Sequence, residues 1–118
     1  MDKETLRQAK LWTEKELDTC ISFWLKNGMD HEHGGVYTCL DRTGRIYSTD
    51  KSVWMQGRCG WIFAFLCHVY GPRQEWLDAS KSCLDFIGCH FHYNLTPRFL
   101  SFIDKFHASL FLTNQLYH

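Results

Sequence analysis

The residues Trp54-Met55-Gln56-Gly57-Arg58 open the most apolar stretch of the chain, which continues through Cys59-Gly60-Trp61-Ile62-Phe63-Ala64-Phe65-Leu66-Cys67. A guanidinium stays protonated at physiological pH and is rarely buried without a partner. A helix built from these residues should therefore deliver Arg58 to a polar cavity or an ion pair, where it could meet negative charge developing on oxygen. Trp54, one turn earlier on the same face, supplies an apolar wall beside it. Other reactive groups are less well placed. His31 and His33 would face the same way on an extended segment and, with Asp30 or Glu32, could begin a metal site. No further ligand has suitable spacing, so surface histidines are the default reading and no metal is expected. Cys89, His90 and His92 form a second cluster of the same kind and are read the same way. Cys59 or Cys67 as a nucleophile would need a nearby base in an electropositive, accessible setting. Arg58 and Cys59 point to different sides of a helix, so buried free thiols are expected instead.

The elements that must position Arg58 follow from periodicity and punctuation. From Lys3 to Leu25 there is no Gly or Pro. Leu6, Ala9, Thr13, Leu17, Ile21 and Trp24 recur at steps of three and four, the mark of an amphipathic helix that Asn27-Gly28 ends. Val36 to Leu40 and Arg45 to Tyr47 flank Asp41-Arg42-Thr43-Gly44 and read as a hairpin with its Gly at a positive φ. A lone hairpin is marginal, so it should lie against a helix end. Thr49 or Asp50 can cap the next helix, which runs to about Tyr70, where Gly71-Pro72 stops it.

That second helix is apolar on every side, the pattern of a helix enclosed by others. Trp54, Trp61 and Phe65 share a stripe with Arg58, while Met55, Ile62, Leu66 and Val69 make another; Trp61 is assigned to the core. Gly57 and Gly60 cost helix propensity but let a neighbouring backbone or ligand come close. A third helix spans about Gln74 to Ile87 through Trp76, Ser80, Cys83, Leu84 and Ile87, and Gly88 ends it. Beyond Cys89 the pattern deteriorates, with a fourth, poorly phased apolar stretch from Phe99 to Leu116.

Composition removes several function classes. The 118 residues carry 13 basic and 13 acidic groups, so no long-range field recruits nucleic acid or an anionic membrane surface. No apolar run approaches the length of a membrane span. Six cysteines behind a charged start, Met1-Asp2-Lys3-Glu4, with no apolar leader, point to a reducing cytoplasm and free thiols. Nine Phe, five Trp and five Tyr make the core rich for this length.

At Phe23-Trp24-Leu25, His31-Glu32-His33-Gly34-Gly35-Val36-Tyr37, Leu40-Asp41-Arg42-Thr43-Gly44 and Lys51-Ser52-Val53-Trp54-Met55-Gln56-Gly57-Arg58 the chain resembles the start of the N-acylglucosamine 2-epimerase family. The resemblance implies an all-α fold with one small β-hairpin, the N-terminal and incomplete part of an (α/α)6 barrel. On this reading residues 1–88 are the barrel fragment and 89–118 a divergent tail, as a shifted frame or truncation would leave. The family exchanges configuration at C2 of N-acetylglucosamine, N-acetylmannosamine or related sugars through an enediolate. It implies substrate contacts for Arg58 and Trp54, with an amino sugar or related monosaccharide as partner. No cofactor is required, although ATP acts as an effector in some members.

The family's catalytic histidines lie beyond this chain, so no catalytic residue is assigned within it, and the chain alone is expected to be inactive. The alternative is a non-catalytic helical association or binding module. Animal members were also known as renin-binding proteins, and a partial ring exposes apolar faces that invite a homo-oligomer.

Overall fold

The computed structural model describes residues 1–91, which form three helices and one two-stranded hairpin. The expected apolar stretch from Phe99 to Leu116, His92, and most of the tail expected from 89 to 118 lie outside the described residues.

Helix α1 (Lys3–Asn27) starts where the Asp2 carboxylate accepts a hydrogen bond from the Thr5 amide at 2.7 Å. It ends at Gly28 for a reason other than a left-handed turn, since Gly28 has φ −89°. A Cβ there would fall 2.6 Å from Cε3 of Trp24, so the indole needs the space that glycine leaves. Only the C-terminal half of α1 meets the core, through the half-buried Leu17, Ile21 and Leu25. Leu6, Ala9 and Thr13, placed on the packed stripe by periodicity, are exposed.

Strands β1 (Cys39–Leu40) and β2 (Ile46–Ser48) pair antiparallel with a register shift between Cys39 and Leu40. The turn between them is held by the Asp41 carboxylate, which accepts from the amides of Thr43 and Arg45 and from the Thr43 hydroxyl. Gly44 has φ +88°, and a Cβ there would lie 2.5 Å from Cγ of Asn27, so the hairpin tip rests on the end of α1 as expected.

Helix α2 (Val53–Tyr70) is preceded by Ser52 in the cap position, in place of Thr49 or Asp50, with no side-chain capping bond. Gly71, at φ 90°, stops it as expected. Helix α3 (Gln74–Phe91) continues three residues past Gly88. One open glycine costs about 1 kcal/mol in a helix. The flanking turns offset it: Ile87 is buried, and the His90 ring stacks on Phe86 with centroids 4.1 Å apart.

The core forms where α2 and α3 pack: Phe63, Leu66 and Cys67 against Trp76, Leu77 and Ala79. Gly60 lies at the closest approach. A Cβ on it would sit 3.4 Å from both Leu84 and the Ser80 carbonyl, and the Ser80 hydroxyl donates to the Gly60 carbonyl at 2.7 Å. The neighbouring backbone that glycine was expected to admit is α3. Among the described residues α3 covers one face of α2 and the opposite face is open, as a partial ring leaves it. Trp61, assigned to the core by its type, is 49% exposed and stacks on Phe65 with centroids 4.9 Å apart.

Candidate functional site

Two groups of residues meet around the start of α2. The first is polar and holds the loop between α1 and the hairpin. Gln56 is fully buried, and its amide reads the Val36 backbone as a strand would: Oε1 accepts from the Val36 N–H at 2.8 Å and Nε2 donates to the Val36 carbonyl at 2.7 Å. The Gly35 amide donates to the Ser82 hydroxyl of α3 at 2.9 Å. Glycine is required there, at φ +78° with a would-be Cβ 2.6 Å from Gln56 Oε1.

Lys51 completes this loop support. Its side chain is only 7% exposed, and Nζ contacts Asp30 Oδ2 at 2.5 Å and donates to the Gly34 carbonyl at 2.7 Å. The ammonium also lies 4.9 Å from the Tyr37 ring centroid and 4.7 Å from that of Phe86. Asp30 Oδ1 accepts from the amides of Glu32 and His33, each at 3.0 Å. Burial alone would push the Asp30 carboxyl up. The Lys51 ammonium and the two amides outweigh it and hold the group well below its ordinary value. The same buried negative charge, after loss of hydration, raises the Tyr37 hydroxyl.

A depressed folded-state pKa contributes stability above the unfolded value, about 3.9, and loses it as pH falls through that value toward the folded one. Acid unfolding followed by tryptophan fluorescence should therefore steepen below about pH 4. Asp30→Asn should flatten that limb, whereas a slope unchanged by Asp30→Asn would show that other carboxylates govern it.

The second group faces away from α3. The Arg58 guanidinium lies 4.4 Å from the centroid of the Trp54 ring, which is 75% exposed. Arg58 is itself exposed and makes no ion pair among the described residues, so the expected polar cavity or ion pair is replaced by an aromatic platform in the open. The helix continues that face with Trp61, Ile62, Phe65 and Val69, all exposed. Chemically, the pair offers a permanent cation and flat donors beside an apolar ring. That combination suits a hydroxyl-rich ring whose C–H faces cover the indole.

Sequence reasoning placed Arg58 and Trp54 together, and the structure does so. It considered Asp30 only as a metal ligand, quoted Lys51 and Gln56 only within a motif, and passed over Ser82. A glutamine in an otherwise apolar helix was the available signal, because a buried amide must find partners.

His31 and His33 are exposed and lie on the loop that Lys51 and Gln56 hold. Among the described residues no three His, Cys, Asp or Glu side chains converge as metal ligands. His90 Nδ1 donates to the Phe86 carbonyl, 3.0 Å away. The six cysteines are free, as expected, but only Cys67 and Cys83 are buried. No helix among the described residues is long and apolar enough to cross a membrane.

A sequence profile describing N-acylglucosamine 2-epimerase matches residues 35–102. N-acylglucosamine 2-epimerase of Mus musculus is 41% identical over 91 residues, and that of Rattus norvegicus 41% over 88. The Homo sapiens protein is 38% identical over 91 residues. Each alignment takes in 73% of this chain and 21% of the relative, so the chain spans about a fifth of the length of the curated relatives it matches.

Proposed function

The chain belongs to the N-acylglucosamine 2-epimerase family, and from that premise we propose that Arg58 and Trp54 form one wall of a sugar site. The exposed stack of Arg58 on Trp54 carries this reading. The family reaction removes a proton beside the carbonyl of the ring-opened sugar and returns it to the opposite face at C2. Arg58 then holds the enediolate oxygens as charge develops on them, and Trp54 packs against the carbon face and excludes water. An amino sugar such as N-acetylmannosamine or N-acetylglucosamine, or a related monosaccharide, is the substrate class.

The proton-transferring histidines belong to parts of the longer relatives that this chain does not match, so the chain by itself binds sugar without turning it over. The reaction calls for no metal and no redox cofactor; ATP acts as an effector in some members of the family, and the cytoplasm is the compartment. Nucleic acid and membrane are not partners.

Thermal unfolding with N-acetylmannosamine tests the site. At ligand ten times above the dissociation constant, linkage contributes about 1.4 kcal/mol, on the order of 5 °C for a domain of this size. Arg58→Met should abolish the rise. An equal rise in that variant would sink the assignment.

A second reading, a non-catalytic association module, is favoured by the aromatic face of α2, where Trp61 and Phe65 are 49% and 48% exposed. It expects a melting temperature that climbs with protein concentration and ignores the sugar.

A further inference from the structure

The contact between α2 and α3 contains two sulfur atoms that the sugar site does not use. Gly60 meets Ser80 and Leu84, and a Cβ on Gly57 would lie 3.9 Å from Ile87, so the helices run antiparallel and bring the turn that holds Cys59 beside the turn that holds Cys83. Cys83 is fully buried on the face of α3 that carries Ser80, Leu84 and Ile87. Cys59 falls three residues after Gln56 and four before Phe63, both buried, and packs against the core at its rim.

Both thiols lie on the turns that the Ser80-to-Gly60 hydrogen bond joins. The Cys83 thiol lowers the proton affinity of Cys59, while the same contact and burial push Cys83 up. The Ser80 carbonyl lies only 3.4 Å from a would-be Cβ on Gly60, so the backbones are close at this point, as a disulfide requires.

We propose that Cys59 and Cys83 form a dithiol site that a hydroperoxide converts to a disulfide stapling α2 to α3. Cys59, the more accessible sulfur, attacks as the thiolate. An S–O bond forms, the peroxide O–O bond breaks, and the departing hydroxide takes up the proton that Cys59 released, leaving as water. The Cys83 sulfur then attacks the sulfenic sulfur. The S–S bond forms, the S–O bond breaks, and hydroxide leaves with the Cys83 proton as a second water. Two thiols lose two electrons, and hydrogen peroxide gains them. Because Cys59 follows Arg58, the cross-link also fixes the helical turn that carries the guanidinium.

The test is hydrogen peroxide treatment of the purified chain, alkylation of remaining thiols, proteolysis and mass spectrometry. The expected product is a peptide pair joined through Cys59 and Cys83, with a melting temperature several degrees above the reduced chain. Cys59→Ser, at the half-buried position, should remove both. If Cys20 and Cys89, which are exposed, oxidise while Cys59 and Cys83 are recovered alkylated, the proposal fails. The peptide mapping needs no variant to fold, and it is independent of sugar binding.

Discussion

Lys51→Met should destabilise the chain by about 3 kcal/mol, the range measured when one member of a buried ion pair is removed. The substitution keeps the aliphatic stem but takes the ammonium from the Asp30 carboxylate, the Gly34 carbonyl and the two aromatic rings. Asp30 would then keep the amides of Glu32 and His33 but lose its one close, permanent positive charge, at a position 5% exposed. Part of the loss should return in the double variant Asp30→Asn/Lys51→Met, which removes the stranded charge with its partner. Urea unfolding of the four chains in the cycle gives the coupling directly. A cost below 1 kcal/mol for Lys51→Met alone would mean that the pair is open to water and structurally idle.

Gln56→Leu should cost a comparable amount, about 3 kcal/mol. Leucine gains hydrophobic burial, but it strands both the N–H and the carbonyl of Val36, a residue 1% exposed. Each unmet backbone group costs roughly 1–3 kcal/mol in the interior. The loss should be local before it is global. Amide exchange at Val36 and Gly35 should accelerate relative to the centre of α3, whereas slow exchange at Val36 in the variant would contradict the bidentate bond. Gly35 cannot move aside to compensate, because its positive φ and its closeness to Phe86 hold it in place.

Much of this architecture is legible in the sequence where one signal dominates. The start and end of α1, the turn at Asp41 to Gly44 and the stop at Gly71-Pro72 each rest on local chemistry that nothing distant overrides. The covered face of α2 is not legible, for a physical reason. With apolar residues at nearly every position, periodicity has no direction to report, and the contact is marked instead by the smallest residue, Gly60, against Ser80.

Arg58 and Trp54 were paired by spacing alone, because residues four apart on a helix must be neighbours. Their exposure could not be read that way, since it depends on which elements arrive from elsewhere. The Asp30 and Lys51 pair was hidden for the opposite reason. Lysine is almost always a surface residue, and its partner lies 21 positions away with no period linking them.

Apart from the Asp30 carboxylate, the loop over α2 is gripped through its main chain: Gln56 holds Val36, Ser82 holds Gly35, and Lys51 holds the Gly34 carbonyl. Such a grip is indifferent to what the intervening side chains are. His31, Glu32 and His33 are all exposed, so this short arc behaves as a cassette whose letters can be rewritten while its shape is kept. A recognition sequence inserted by substitution at those three positions would be displayed in a defined pose rather than on a floppy tether.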